Sequence, residues 1–211
     1  MDKAASLVKD GSVIMVGGFG ACGSPLGIID ALVKSGVKNL TLISNDTGFI
    51  DRGVGLMVVA KQFKKVQVSH IGTNKESGRQ MIAGEMEVEL IPQGTLVERI
   101  RAGGYGLGGV LTQTGLGTEI EKGKQIVEVD GKKYLLEKPL RAEIAFLHAD
   151  VADEKGNLLY HGTARNFNPV MATAADIVVV EARKIVPMGE ISPDNIVVPG
   201  ALVTYSVEAA K

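Results

Sequence analysis

The sequence predicts an α/β fold: an open, mostly parallel sheet with helices on both faces and a small β-hairpin excursion. Three observations carry that expectation. Short apolar runs alternate with segments of helical spacing from residue 12 to residue 101. The first run, Val13-Ile14-Met15-Val16, is unbroken, as a strand covered on both faces is. The 27 glycines, about twice the usual share, cluster at the ends of apolar runs, where tight turns and ligand contacts belong.

The elements follow in order. Residues 2–9 suit a short helix, Asp10-Gly11 a turn and residues 12–16 a buried strand. A helix over 26–35 is expected next, with Ser24 as its N-cap, Pro25 at the first helical position and Gly36 ending it. Residues 40–43 form a second strand, 54–62 a helix, 66–69 a third strand, 76–83 a helix and 88–91 a fourth strand. A further helix begins over 95–101, and the glycine-rich stretch 103–123 interrupts the rhythm. Residues 124–129 and 132–137, joined by Asp130-Gly131, carry a strong hairpin signal. Strands at 143–148 and 176–180 flank a short helix within 166–174, and the tail from Pro187 is rich in turns.

Composition narrows the classes of function. The formal net charge is −1 and no long basic tract occurs, which argues against nucleic acid. No run of 18 apolar residues occurs, so no spanning helix and no membrane partner is expected. The first ten residues lack the apolar stretch of a secretory signal, and one cysteine allows neither an internal disulfide nor a cysteine metal cluster. A cytoplasmic location is the resulting expectation, with no metal site.

The loop Gly17-Gly18-Phe19-Gly20-Ala21-Cys22-Gly23 joins a strand to a helix. Glycines allow close approach of backbone N–H groups to a ligand, and a helix start favours an anion, so contact with phosphate or pyrophosphate is the expected role. Gly18, Gly20 and Gly23 formally satisfy the dinucleotide fingerprint, with Asp46 near the end of the next strand. Pro25, however, sets the helix start after Gly23, whereas the fingerprint's last glycine lies inside its helix. A nicotinamide or flavin site and a purely structural turn stay open as alternatives. Cys22 has no evident base beside it in sequence and reads as a small spacer among glycines.

Asn45-Asp46-Thr47-Gly48 closes a strand at the end where open sheets bind ligands, although turn formation alone also explains it. Gln93 follows Ile91-Pro92, and its amide can donate to a developing oxyanion or a carboxylate; helix capping is the plainer reading. Three histidines, at 70, 148 and 161, make no metal-ligand spacing. Glu85, Glu87 and Glu89 read as one solvated strand face, and Arg99 and Arg101 as a solvated helix face. Arg165-Asn166-Phe167-Asn168-Pro169 is compact and polar, and its arginine suits a phosphate, a carboxylate or a contact between subunits. No nucleophile–base pair emerges. Either the nucleophile comes from another chain or this chain only binds.

Taken together, several segments resemble the alpha subunit of the family I CoA-transferases, of the acetate/butyrate–acetoacetate type. They are Asp10–Phe19, Gly23-Ser24-Pro25, Ser44–Gly48, Ser69–Asn74, Gly84–Val88, Pro92–Gly104, Thr114–Thr118 and Ala164–Pro169. The resemblance implies one domain over residues 1–211, with an excursion at about 103–140. It implies coenzyme A as a substrate rather than a tightly bound cofactor, and binding of it by the loop Gly17–Gly23. Gln93, supported by Asn45, is placed at the reacting carboxylate and thioester. A homologous beta subunit, commonly in an α2β2 assembly, is implied to bring the glutamate nucleophile. Short-chain acyl-CoA, acetoacetate and acetate are the implied substrates. Alternatives are a transferase for a dicarboxylic pair such as 3-oxoadipate and succinyl-CoA, a non-catalytic CoA- or nucleotide-binding regulator, and a nicotinamide dehydrogenase.

Overall fold

The computed structural model describes residues 1–210. Seven strands form one parallel sheet in the order β11-β10-β8-β1-β2-β3-β4. They are β1 (Val13–Val16), β2 (Leu40–Ile43), β3 (Phe63–Val68), β4 (Glu87–Leu90), β8 (Ala142–Asp153), β10 (Ala175–Val186) and β11 (Tyr205–Glu208). A two-residue strand, β9 (Leu158–Leu159), pairs antiparallel with β8. In the middle, Ile14 sits between Leu42 and Ile144 in register. Ile14 and Val16 pack into the apolar layer that holds α1 (Asp2–Ala5), α2 (Leu26–Ser35) and α3 (Gly55–Val59). Met15 faces the opposite layer, with α5 (Gln93–Gly104) and α6 (Asn168–Met171). A side chain on either face of β1 is thus buried, which is why its sequence runs apolar without alternation.

The helix α2 ends as expected at Gly36, in the left-handed conformation with φ 69°. Its start differs. Pro25 takes the cap position, and no side chain of the cap bonds the first turn. Ser24 stands one residue before the cap and packs against Gly18, its Oγ lying 2.0 Å from where a Cβ on Gly18 would stand. The carboxylate of Glu181, on β10, accepts from the N–H groups of Gly27 (3.1 Å) and Ile28 (2.8 Å) instead. An anion therefore already occupies this helix start.

Other boundaries move for local reasons. α3 stops at Val59, and the turn that follows carries Lys61 at φ 52°, so β3 starts at Phe63 rather than Val66. Helix α4 (Lys75–Ile82) opens on Asn74, whose side chain accepts from Glu76 N–H. The helix α5 runs through Gly103 and Gly104, which the sequence placed in the break. A Cβ on Gly103 would stand 2.0 Å from Leu140 O, and one on Gly104 2.0 Å from Thr173 Oγ1. These glycines let a helix approach its neighbours rather than ending it.

The excursion is a three-stranded antiparallel sheet, β5 (Val110–Thr112), β7 (Lys132–Glu137) and β6 (Ile126–Val129), with β7 in the centre. The Asp130-Gly131 turn has φ of 50° and 72°, the positive pair that a tight hairpin requires. Arg99 corrects its reading as a solvated residue. It is buried, donates to Lys138 O (2.8 Å) and Glu89 Oε1 (2.9 Å), and lies 3.8 Å from Glu137 Oε2. Glu137 is 2% exposed and also meets Lys124. Glu89 is accordingly not a purely solvated strand residue. Burial pushes its carboxyl up, but hydrogen bonds from Arg99 and Gln67 and the nearby charges outweigh that and hold it below the ordinary value.

Candidate functional site

The loop Gly17–Gly23 leaves the carboxyl end of β1 and is held from two sides. Phe19 and Cys22 exchange backbone bonds, Phe19 N–H to Cys22 O (3.0 Å) and Cys22 N–H to Phe19 O (2.9 Å). Gly20 and Ala21, inside that turn, have φ of 52° and 72°. Gly17 N–H reaches Phe146 O at 2.9 Å, and Gly20 N–H reaches Asp46 Oδ2 at 2.8 Å. Of the seven loop amides, only those of Gly18, Ala21 and Gly23 have no partner among the described residues. The number of donors left for a ligand is smaller than a count of glycines implies.

The loop's carbonyl side is clamped by the segment the sequence marked as compact and polar. Asn166 Nδ2 donates to Cys22 O (3.0 Å), and Asn168 Nδ2 donates to Gly23 O (2.9 Å) and Ala164 O (2.9 Å). Asn168 is fully buried and its Oδ1 accepts from His148 N–H at 3.0 Å. Gly17 and Gly23 permit this contact: a Cβ on Gly17 would stand 2.0 Å from Asn168 Oδ1, and one on Gly23 2.5 Å from Ala164 O. The asparagines, not the exposed Arg165, bind the loop. Their role was missed in the sequence; the signal available was two amides flanking Phe167 where a 3-10 turn, Gly162–Arg165, gives way to α6.

Asn45 and Gln93 meet. Asn45, beyond the end of β2, is 2% exposed, and its Oδ1 accepts from Gln93 Nε2 at 3.1 Å. Gln93 is the first residue of α5 and is exposed. Asn45 Nδ2 in turn donates to Asp46 Oδ2 at 2.6 Å, the oxygen that also takes Gly20 N–H. Asp46 Oδ1 accepts from Gly48 N–H at 2.7 Å. One hydrogen-bonded chain therefore runs from Gln93 through Asn45 and Asp46 into the glycine loop. Phe19, Phe49 and Ile50 are exposed nearby, with the Phe49 ring 3.5 Å from where a Cβ on Gly20 would stand.

Behind the loop lies an open cleft of about 700 Å³, lined by residues including Cys22, Ser24, His148, Asp150, Glu181 and Arg183. Burial holds the His148 imidazole below its ordinary pKa, against the pull of the Asp150 carboxylate 3.9 Å away. Cys22 is exposed, with Sγ 3.3 Å from Thr163 Oγ1. No group of three or more His, Cys, Asp and Glu residues suited to a metal ion occurs among the described residues, and no helix there is long and apolar enough to cross a membrane.

The parallel sheet, with a glycine-rich loop and a pair of hydrogen-bonded amides at its carboxyl end, defines the class as an open α/β protein with its candidate site where such sheets bind ligands. The coenzyme A transferase family matches residues 1–209, and the chain belongs to that family. It is a CoA-transferase chain of the alpha type. It is 53% identical over 207 residues to the alpha chain of the acetate CoA-transferase of Escherichia coli K12, covering 98% of this chain and 94% of that one. It is 51% identical over 207 residues to the alpha chain of the acetoacetyl-CoA:acetate/butyrate CoA transferase of Clostridium acetobutylicum, covering 98% and 95%. The corresponding chain of the succinyl-CoA:3-ketoacid coenzyme A transferase of Helicobacter pylori J99 is 46% identical over 211 residues, covering 100% and 91%. Among solved structures, an acyl-CoA transferase of Escherichia coli O157:H7 in a thioester complex with CoA superposes with a TM-score of 0.88 at 23% identity. The match covers 99% of this chain but 46% of that one, so this chain spans about half the length of the solved protein.

Proposed function

We propose that this chain is the alpha half of a two-subunit enzyme that moves CoA between acetoacetyl-CoA or another short-chain acyl-CoA and a small carboxylate such as acetate. A homologous beta subunit supplies a glutamate nucleophile, in an α2β2 assembly. The observation that carries this reading is the joined chain Gln93–Asn45–Asp46–Gly20 at the carboxyl end of the sheet. It presents an amide donor beside a loop with free N–H groups, yet the carboxylate bonded to it, Asp46, is buried under three donors and unfit to attack. The alpha relatives from E. coli and C. acetobutylicum, with acetate and acetoacetyl-CoA in their names, support the choice of substrates.

The chemistry is ping-pong. The beta glutamate carboxylate attacks the acyl-CoA carbonyl, the tetrahedral oxyanion collapses, and CoA thiolate leaves behind a mixed anhydride. The thiolate then attacks the glutamyl carbonyl, releasing the first carboxylate and forming a glutamyl-CoA thioester. A second carboxylate reverses both steps. Each tetrahedral species needs a donor at its oxygen, and Gln93 Nε2, which spends one N–H on Asn45, has a second to give. The free amides of Gly18, Ala21 and Gly23 bind CoA.

The test is transfer from acetoacetyl-CoA to acetate by the chain alone and with its genomic partner, with acetyl-CoA followed by mass spectrometry. Activity only with the partner is expected. The H. pylori relative favours a second reading, succinyl-CoA with a 3-oxoacid. Transfer from succinyl-CoA to acetoacetate, with none to acetate, would replace the first reading by the second. Failure of the assembled pair on both substrate pairs would leave a CoA-binding protein.

A further inference from the structure

We infer that Asp46 is a positioning residue that sets which way the amides of Asn45 and Gln93 face and ties them to the glycine loop. The inference rests on the reading of Gln93 as a donor to the reacting centre. A primary amide has two ends of nearly equal shape, one donating and one accepting. A site built from such amides donates to an oxyanion only if something fixes their orientation. An ionised carboxylate can only accept. Because Asp46 Oδ2 lies 2.6 Å from the Asn45 side-chain amide, the end facing it must be the nitrogen. Asn45 then turns its oxygen to Gln93, and the Gln93 atom 3.1 Å from that oxygen must be nitrogen too. With Asp46 removed, either end of each amide fits.

Among the described residues, no other neighbour makes this choice. Ser69 Oγ lies 3.3 Å from Asn45 Oδ1, but a hydroxyl donates or accepts as required, and its shorter bond, 2.7 Å, goes to Asn45 O. The Asp46 carboxylate is itself unable to rotate. Oδ1 holds Gly48 N–H at 2.7 Å while Oδ2 holds Gly20 N–H at 2.8 Å. The same oxygen that orients Asn45 thus fixes the loop, so donor and loop keep one spacing.

The frame around Asp46 does not depend on its side chain. Thr47 N–H bonds His70 O (3.3 Å), Thr47 Oγ1 pairs with Ser77 Oγ (2.9 Å) and Asn74 Nδ2 donates to Thr47 O (3.1 Å). Thr73 Oγ1 donates to Gly48 O at 2.8 Å. Removing the carboxylate frees the amides without removing the strand end that carries them. In the variant Asp46→Asn the shape is kept, but the amide can turn its oxygen either to Gly20 N–H and Asn45 or to Gly48 N–H, so it no longer dictates which end of Asn45 faces it.

The experiment uses the assembled enzyme, acetoacetyl-CoA and acetate, and four alpha variants: Asp46→Ala, Asp46→Asn, Gln93→Ala and the double Asp46→Ala/Gln93→Ala. Asp46→Ala is expected to lower kcat by about tenfold to a hundredfold, with KM for acetate changed less than about threefold. Asp46→Asn is expected to recover little of that loss, because an amide of the same shape no longer presents only acceptors to Asn45; a wild-type kcat in it would overturn the inference. In the Gln93→Ala background, Asp46→Ala should cost less than about threefold more, because the residue it acts through is gone. A wild-type kcat in Asp46→Ala, or losses that multiply in the double variant, would overturn the inference while leaving Gln93 in place. A wild-type kcat in Gln93→Ala would overturn the reading beneath it, and the role of Asp46 with it. Should Asp46→Ala fail to assemble, Asp46→Ser keeps the turn to Gly48 through its hydroxyl and supports the same comparison.

Discussion

Two junctions hold peripheral parts to the parallel sheet, and they are built from different chemistry. At the carboxyl end of β1 and β2, the glycine loop is joined to Asn45 and Gln93 through amides, backbone N–H groups and the single charge of Asp46. At the base of the three-stranded sheet, Arg99, Glu89, Glu137 and Lys124 make a junction of four charges. Ion pairs attract over a range of angles and tie one body to another. Amides bind only along defined directions, so they keep a donor aimed. The difference teaches where this chain needs cohesion and where it needs geometry. Breaking the charged junction should cost stability first, and breaking the amide junction should cost turnover first.

The largest effect is expected from Arg99→Ala, which leaves the Glu137 carboxylate, 2% exposed, with Lys124 alone. Loss of one partner from a buried ionic group costs about 3 kcal/mol, read by chemical denaturation of the assembled enzyme. Retained stability would show that the charged junction is not what docks the small sheet. Gln93→Ala should leave stability unchanged and lower kcat by about 10² to 10³, the loss seen when one oxyanion donor is removed. A drop in stability without a drop in kcat would erase the distinction between the junctions. Gly23→Ala lies between them. At φ +66° a side chain costs about 1–2 kcal/mol. The added Cβ would also stand 2.5 Å from Ala164 O, so KM for the acyl-CoA is expected to rise as well.

Smaller effects sharpen the contrast. His148, largely buried, is held below its ordinary value of 6.5 by that burial, so the unfolded chain takes up a proton at a higher pH than the folded chain does. The stability it contributes is present above about pH 6.5 and is lost as pH falls through the lower folded value. Denaturation at pH 7.5 and pH 5.5 should show this slope in the unaltered protein and a weaker one in His148→Gln. The least effect is expected from Arg101→Ala. Its pair with Glu98 is about half exposed on both sides, and removal should change stability by less than about 0.5 kcal/mol.

The strands and helices of the first hundred residues were legible because their local signals agree with their burial. Gly36 ends α2 and Asp130-Gly131 turns the hairpin, each for a backbone reason readable within a few residues. The full lengths of β8 and β10 were not legible. His148, Asp150, Glu181 and Arg183 interrupt the apolar pattern, yet each lies on a strand that continues to support the cleft. Arg99 and the N-terminus of α2 misled for a related reason. The partners Glu89, Glu137 and Glu181 arrive from distant parts of the chain, and nothing near Arg99 or Ser24 announces them.

The candidate site divides along the same line. Gln93, Asn45 and the loop Gly17–Gly23 were singled out from residue type and place, and the folded chain joins them by hydrogen bonds. The clamp of Asn166 and Asn168 on the loop was invisible, because an asparagine in a turn is ordinary until its partner, more than 140 residues away, is known.

By itself, the sequence determined the alternation of strand and helix, the glycine loop and the places of the candidate amide residues. These depend on periodicity, backbone freedom and side-chain type, which are properties of neighbours in the chain. Only the tertiary structure decided which loop amides are already spent, which end of each side-chain amide is presented and which charges are buried. Those outcomes depend on donors and acceptors meeting across the fold, where the orientation of one group is set by the fixed chemistry of another.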